Sequence, residues 1–263
     1  MDRNHRIELQ YDGTGLHGWA KQTGLPTVEG CIEEAMRTVL GAVPSLRVAG
    51  RTDAGVHARR QVVSARLPAG TDPIRLLRSL NALTPPGIAV TRITPARADF
   101  DARKDALSRT YRYFLCTAEA VPPFWTGFAW HVPGHIDLQA MRDSATAVVG
   151  KHDFTAFTPQ ETEHVFFKRL VLGCGWKTAA KASAAGLPAA GNSIFYFEIE
   201  AETFLRHMVR TLVGTTVEVG TGARSVEDFG LLLEGALRER AGPTAPAHGL
   251  FLWDVRYRAG RRP

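Results

Sequence analysis

An aspartate that follows an arginine closely, between two glycines, is the group in this chain whose surroundings most suggest chemistry. Residues 49–58 read Ala-Gly-Arg-Thr-Asp-Ala-Gly-Val-His-Ala, which places Arg51 two residues before Asp53. Glycines permit tight turns and a close approach of the backbone to a ligand, and a neighbouring cation keeps a poorly solvated carboxylate ionised. Such a carboxylate is a candidate nucleophile or base. The same spacing also suits an aspartate that merely caps a turn.

Two further patterns provide groups that can hold a nucleic acid. Tyr111 and Tyr113 alternate with Arg112 in a strand-like segment, so both tyrosines share one face. An aromatic ring beside cations suits stacking on a nucleobase. Arg206 and Arg210 are four residues apart in a helical pattern and could present two guanidinium groups along one groove. Core tyrosines and a solvated helix face would give the same two patterns.

Motifs for other kinds of catalysis are absent from the sequence. It contains no GxxxxGK[ST] phosphate loop. Lys151-His152-Asp153 has no spacing typical of metal ligands. The three cysteines form no CxxC pair, which argues against a zinc ribbon or a disulfide framework and predicts three small buried thiols. We therefore expect no catalytic metal.

Hydrophobic periodicity predicts the elements that must position these residues. The first 95 residues follow the order β-α-β-β-α-β, in which two helices pack on one face of an antiparallel sheet. The Asp53 run falls in the loop between the second and third of these strands. The predicted strands are residues 6–11, 46–49, 61–66 and 88–93, and the predicted helices begin after Thr27 and Asp72, the second one burying Ile74, Leu77 and Leu80.

The second half is predicted to be a looser copy of the first. We expect an α+β chain of two ferredoxin-like halves with mixed, mainly antiparallel sheets and a catalytic cleft between the halves. Residues 1–105 would carry Asp53, and residues 106–263 would carry Tyr111 and Arg210. The predicted elements are strands at 110–116, 167–176, 194–199 and 251–257, helices at 137–148, 204–217 and 225–237, and an exposed connection at 178–192.

Composition narrows the class of protein. The 263 residues include 32 Lys and Arg against 26 Asp and Glu, a net charge of +6, and 44% are hydrophobic. These values exclude a disordered chain, collagen and a coiled coil. No apolar run approaches the ~20 residues of a membrane span, and no signal peptide is evident, so we expect a cytoplasmic protein without a membrane partner. The positive charge suits a polyanionic partner. So do four cations in the predicted joint between the halves, residues 95–109: Arg97, Arg103, Lys104 and Arg109.

Seven segments, in order along the chain, resemble the tRNA pseudouridine synthase A (TruA) family. The most specific is the run of residues 50–58. The other six are Tyr11-Asp12-Gly13-Thr14 with Gly18-Trp19, Phe100-Asp101-Ala102-Arg103, Tyr111-Arg112-Tyr113, Gly150-Lys151-His152-Asp153-Phe154, Phe204-Leu205-Arg206-His207-Met208-Val209-Arg210 and Ala245-Pro246-Ala247-His248-Gly249-Leu250.

This resemblance implies a two-lobed α+β homodimer that needs no cofactor. The implied reaction isomerises uridine to pseudouridine at positions 38, 39 and 40, in the anticodon stem-loop of tRNA. Asp53 matches the family's catalytic aspartate and Tyr111 the tyrosine stacked on the target uracil. Arg210 matches the arginine paired with that aspartate.

Four more residues are expected at the substrate. Arg51 matches an arginine that enters the RNA stack as the base leaves it, and Leu250 matches an apolar wall of the pocket. Arg103 and Arg206 are expected to contact RNA. The chain departs from the family's pattern at Leu16-His17, Ala20, Asp101 and Thr211, none of which is a proposed catalytic group.

Two other classes of protein remain compatible with the same residues. A non-catalytic RNA-binding protein built from two RRM-like halves would also have a basic joint and aromatic residues on its strands. A basic metabolite enzyme could use Asp53 with His57, four residues later, as an acid–base pair. Such an enzyme would have no affinity for tRNA, whereas the RNA-binding protein would bind tRNA without changing it.

Overall fold

The protein is described here by a computed structural model that covers residues 2–162, 164–179 and 193–258. Its chain forms two compact units. Unit 1 comprises Met1–Arg109 together with Phe251–Pro263, and unit 2 comprises Thr110–Leu250. The sequence-based division into residues 1–105 and 106–263 differs from these units mainly at the end of the chain, because the final strand belongs to unit 1. Most of residues 178–192, the expected exposed connection, lie outside the described residues.

The strands and α-helices of the described residues have the following bounds. The strands are β1 (Arg3–Tyr11), β2 (Arg47–Val48), β3 (His57–Leu67), β4 (Ile88–Pro95), β5 (Ala106–Cys116), β6 (Trp130–His131), β7 (Gly150–Asp153), β8 (Lys168–Thr178), β9 (Ile194–Ala201) and β10 (Leu250–Tyr257). The helices are α1 (Val28–Leu40), α2 (Pro73–Leu83), α3 (Leu138–Ala147), α4 (Met208–Gly220) and α5 (Val226–Leu231). This mixture of helices with mainly antiparallel strand pairs confirms the α+β class.

The sheet of unit 1 is built around the long strands β1 and β3. β1 pairs antiparallel with β3 on one side and with β4 on the other, and β2 pairs antiparallel with β3. The four strands therefore lie in the order β4-β1-β3-β2, as the β-α-β-β-α-β pattern predicts. On the same edge of β3, β10 runs parallel to it, with Phe251 opposite His57.

Both helices of unit 1 begin at their predicted caps. The Thr27 side chain accepts a hydrogen bond from Gly30, and the Asp72 side chain accepts from the amides that open α2. The predicted buried face of α2 is wrong in part. Leu80 is buried as predicted, but Ile74 is 64% exposed, Leu77 is only half-buried, and Leu76 is buried as well. Adjacent leucines at 76 and 77 allow two apolar stripes, and packing selects the one that contains Leu76.

β3 is longer than the sequence predicts. It begins at His57 rather than at residue 61, so the last two residues of the predicted Asp53 loop lie in a strand. The pairing of Phe251 and Leu252 with His57 and Ala58 accounts for the extension. Because β10 is distant in sequence, no local pattern could indicate it.

Unit 2 contains a sheet in the order β5-β9-β8-β7, with β6 paired to β5. Its strand β8 pairs antiparallel with β7 and with β9. A strict second copy of unit 1 would add a fourth strand from the end of the chain. That strand is counted in unit 1 from Phe251 onward.

The helix predicted at residues 204–217 begins four residues later, at Met208. His207 has a left-handed backbone with φ of 59°, which breaks the helical path before α4. Arg206 therefore precedes the helix, and the prediction that it shares a helix face with Arg210 is wrong. α5 follows its Ser225 cap as expected but ends at Leu231, several residues before the predicted end.

The cysteines are free thiols, as predicted, but their burial differs from the prediction. Cys116 is buried, whereas Cys31 and Cys174 are half-buried. No helix among residues 2–162, 164–179 and 193–258 is long and apolar enough to cross a membrane.

Candidate active site

Asp53 lies on a loop whose backbone is held by the loop that follows β1. We call residues 50–56 the aspartate loop. Trp19 donates its amide to the Thr52 carbonyl at 3.0 Å, and Gly55 donates its amide to the Leu16 carbonyl at 3.1 Å. Within the loop, the Val56 amide donates to the Asp53 carbonyl at 3.2 Å. The half-buried Asp53 side chain therefore projects from a backbone that is fixed on both sides of it.

Buried side chains hold the first half of the aspartate loop. Gln61 donates its amide to the Gly50 carbonyl at 2.7 Å and to the Tyr11 hydroxyl at 3.2 Å. The Tyr11 hydroxyl also lies 2.8 Å from Thr52 Oγ1. Burial raises the pKa of Tyr11 to about 12, although the hydrogen bonds to Thr52 and Gln61 lower it. The phenol is therefore neutral at physiological pH, and the network stays intact.

Two glycines of the loop after β1 permit this close packing. A Cβ atom on Gly13 would lie 2.3 Å from the Val56 carbonyl oxygen, and one on Gly18 would lie 2.6 Å from the Thr52 carbonyl oxygen. Gly18 also has φ of +83°, a conformation that L side chains rarely adopt. The Asp-Gly-Thr and Gly-Trp motifs of the sequence thus serve to seat the aspartate loop.

His57 directly follows the aspartate loop and is buried, and its contacts hold the backbone in place. Its Nδ1 accepts a hydrogen bond from the Gly13 amide at 2.9 Å, and its ring stacks on Phe251 with centroids 4.6 Å apart. Asp12 Oδ1 lies 3.1 Å from the same nitrogen. A backbone amide can only donate, so Nδ1 is the acceptor in its bond to Gly13. These contacts favour anchoring of the loop over acid–base chemistry with Asp53.

The cations of the predicted joint do not form one exposed group. Arg97, Arg103 and Lys104 are exposed, as an RNA contact requires. Arg109 is instead buried and donates to backbone carbonyls, so the expectation that it faces RNA is wrong. The sequence gives no signal for this, because those carbonyls belong to residues up to 60 positions away.

In unit 2, Tyr111 and Tyr113 lie on β5 and share a face, as their alternation predicts. Tyr111 is 8% exposed and meets the Phe204 ring edge-on, with centroids 5.0 Å apart. Tyr113 is fully buried and donates its hydroxyl to the Pro246 carbonyl at 2.8 Å. Burial raises the pKa of Tyr113 well above its ordinary value, against an opposing effect of Arg210, so this phenol remains a donor.

Arg210 lies in the first turn of α4 and contacts the segment of residues 243–249, which we call the strap. Its Nε donates to the Ala245 carbonyl at 2.7 Å, and the Ala245 amide donates back to the Arg210 carbonyl at 3.1 Å. A Cβ atom on Gly214 would lie 1.8 Å from the Pro243 carbonyl oxygen, so the strap rests directly on the helix. These contacts fix the plane of the guanidinium group. Leu250 directly follows the strap and is buried at the start of β10.

The predicted site residues are divided between the two units. Asp53, Arg51 and Arg103 belong to unit 1, and Arg51 and Arg103 are exposed. Tyr111, Arg206, Arg210 and Leu250 belong to unit 2, where Arg206 is exposed before α4. Sequence reasoning missed the residues that hold these groups in place: Tyr11, Gln61, Arg109 and the strap residues around Ala245.

The described residues contain no group of three His, Cys, Asp or Glu side chains that could hold a metal ion.

Comparison with known proteins identifies the family. The family described as tRNA pseudouridine synthase matches residues 145–258. The tRNA pseudouridine synthase A of Syntrophotalea carbinolica is 38% identical over 252 residues, which cover 96% of this chain and 95% of the relative. That of Methylacidiphilum infernorum is 37% identical, over 96% and 95% of the two chains. That of Porphyromonas gingivalis is 38% identical, over 95% and 96%. The chain therefore belongs to the tRNA pseudouridine synthase A family.

Proposed function

We propose that this protein isomerises uridine to pseudouridine in the anticodon stem-loop of tRNA, with Asp53 as the attacking group. The name of the relatives supplies the reaction and the class of substrate. The observation that carries the assignment to Asp53 is a half-buried carboxylate on a loop whose amides and carbonyls are fixed on both sides. Such a group is preorganised for attack on a bound base.

The reaction must break the C1′–N1 bond, retain the uracil, turn it and rejoin it through C5. An ionised Asp53 would add to uracil C6, or act at C1′ as a base or nucleophile. Both routes require the carboxylate rather than the acid. In the proposed mechanism Arg210 would keep Asp53 charged, as the resemblance of the motifs implies, since a guanidinium favours the ionised form of a carboxylate. The Ala245 carbonyl, which accepts from Arg210 Nε, supports this role by fixing the guanidinium plane.

Tyr111 would hold the detached uracil by stacking. Its edge-on contact with Phe204 restricts the rotation of the ring, which suits a fixed stacking surface. Its hydroxyl could also take part in proton transfer from C5, the last chemical step. Leu250 would form an apolar wall of the pocket, and exclusion of water there would protect an intermediate from hydrolysis.

Exposed arginines would bring the uridine out of the RNA stack. Flipping a base costs a few kcal/mol, and in the proposal Arg51 offsets part of this cost by entering the space that the base leaves. Arg103 and Arg206, both exposed, would contact phosphates. The resemblance of the motifs further supports a homodimer that acts in the cytoplasm without a cofactor.

Substitution of Asp53 tests the proposal directly. Asp53→Asn should bind tRNA with unchanged affinity but release no tritium from tRNA labelled at uridine C5, since an amide cannot replace the carboxylate. Asp143→Asn, which changes an exposed aspartate of α3 in the same way, is the matched control and should release tritium at the wild-type rate.

Two results would contradict the proposal. Full tritium release by Asp53→Asn would remove Asp53 from the chemistry. Binding of tRNA by the wild-type protein without any release would favour the non-catalytic RNA-binding protein.

A further inference from the structure

Arg109 is a buried cation that the proposed chemistry does not use. Its side chain lies at the start of β5 and is 7% exposed. The guanidinium donates to the Ala49 carbonyl from Nε at 3.1 Å and from Nη2 at 2.8 Å. It also donates to the Arg103 carbonyl at 2.7 Å and to the Ala106 carbonyl at 3.3 Å. One side chain therefore joins the residue before the aspartate loop to residues 103–106, which lead into its own strand β5.

The Ala49 carbonyl is the contact that links Arg109 to the proposed chemistry. Ala49 directly precedes the aspartate loop, and its amide donates to the Val62 carbonyl at 2.9 Å. The next carbonyl, that of Gly50, accepts from Gln61. The entry to the loop is thus held by β3 on one side and by Arg109 on the other. A shift of Ala49 would be passed on to Asp53 within four residues.

The other two carbonyls that accept from Arg109, those of Arg103 and Ala106, belong to the joint that follows β4. Ala102, next to Arg103, donates its amide to Ser64 Oγ at 3.0 Å and accepts from the Tyr257 hydroxyl at 2.7 Å. The joint is therefore packed on β3 and β10 before it enters β5. The buried Arg109 then connects the joint to Ala49 by donating to the Arg103 and Ala49 carbonyls.

Burial of a guanidinium opposes folding unless its donors are satisfied. An apolar side chain of similar size would fill the same space without that penalty. Three backbone carbonyls on two segments offset this penalty only when all of them lie at hydrogen-bond distance, so the arrangement is sensitive to small displacements.

We propose that Arg109 is a positioning residue for the isomerisation: it sets the entry of the aspartate loop, and thereby Asp53, by binding Ala49, Arg103 and Ala106 together. The role is indirect, because Arg109 acts through the backbone carbonyls that hold the entry of the loop. Its effect on turnover rests on the proposed function, whereas its effect on the loop backbone does not.

Lysine is the informative substitute for Arg109. It preserves the buried positive charge and most of the aliphatic stem, but its donors radiate from a single nitrogen. A planar guanidinium with donors on separate edges can reach all three carbonyls, which an ammonium group cannot do at the same distances. Arg109→Gln, which removes the charge and keeps one amide donor, is a second variant for the case that the lysine variant does not fold. Arg78→Lys, on the exposed side of α2, is the matched control.

The test combines tRNA kinetics with amide hydrogen exchange of the full-length protein. Arg109→Lys should lower kcat for tritium release about tenfold or more, with KM for tRNA within about twofold of the wild-type value. Exchange should quicken about tenfold at residues 49–56 and not in α1. Arg78→Lys should match the wild-type protein in all three measurements.

Three results would overturn the proposal. A raised KM with unchanged kcat would make Arg109 an RNA contact. Unchanged exchange at residues 49–56 would show that it does not hold the loop, and faster exchange throughout unit 1 would reduce it to a general contribution to stability. If the wild-type protein released no tritium, the proposed function would fail, while the exchange measurement would still decide whether Arg109 holds the loop.

Discussion

Replacement of Gly18 by alanine should displace the aspartate loop without changing any side chain of the proposed site. The new methyl group would lie 2.6 Å from the Thr52 carbonyl oxygen, 3.0 Å from the carbonyl carbon of Asp53 and 3.1 Å from the Ala54 amide nitrogen. All three are backbone atoms, so no flexible side chain can yield. To restore a separation of 3.0–3.4 Å, the Thr52 carbonyl must retreat by about 0.4–0.8 Å.

That displacement has a predictable effect on turnover. Misplacement of a reacting group by about 1 Å lowers the rate of an enzyme ~10²-fold. We therefore expect kcat of Gly18→Ala to fall about 10- to 100-fold in the tritium-release assay. The left-handed backbone at residue 18 adds ~1–2 kcal/mol of strain for alanine, which should lower the melting temperature by several degrees.

Gly24→Ala separates the two effects. Gly24 has φ of +75°, close to the +83° of Gly18, but a Cβ atom there would meet nothing within 4 Å. This control should lose similar thermal stability and retain the wild-type kcat. Equal turnover by Gly18→Ala and Gly24→Ala, at equal stability, would refute the argument that the Gly18 contact positions Asp53.

Two further predictions concern unit 2. Tyr113→Phe should leave the Pro246 carbonyl without its phenol donor and reduce the free energy of unfolding by ~1–3 kcal/mol, measured by urea denaturation; no change would show that water replaces the hydroxyl. Burial raises the pKa of Glu198, but hydrogen bonds from Lys177 and Arg112 outweigh it and hold that pKa below the ordinary 4.5. The ionised Glu198 therefore stabilises the fold above that pH, and this effect is lost as the pH falls. Glu198→Gln should have a lower free energy of unfolding than the wild-type protein at pH 7. At pH 3 the two free energies should become similar in the same assay. A stability difference that does not depend on pH would contradict this reasoning.

The predictable parts of the fold are those that local chemistry determines. The Thr27 cap, the apolar stripe that follows it and Gly41, which has φ of 73°, define α1 from its own residues. α4 shows the opposite case. Residues 204–207 continue a helical stripe, yet the left-handed His207 interrupts it, and nothing in the local pattern of apolar residues indicates that turn.

The candidate site shows the same division between local and distant causes. Residue types alone marked Asp53 as a candidate nucleophile or base, whereas its place in a reaction came from the resemblance of seven motifs. The anchors of its loop could not be predicted, because Tyr11 and Thr52 are 41 residues apart and Arg109 and Ala49 are 60 apart. Such contacts depend on strand pairing that single-sequence patterns do not specify.

The return of the final strand to unit 1 determines when that unit is completed during synthesis. Residues 1–109 leave the ribosome first, but the β10 partner of His57 and Ala58 emerges only after unit 2. Until then β3 lacks its parallel neighbour, and the His57 ring lacks the Phe251 ring on which it stacks. Unit 2 is continuous in sequence and can close earlier. The part of unit 1 that is translated first is therefore completed only after the whole of unit 2 has been translated.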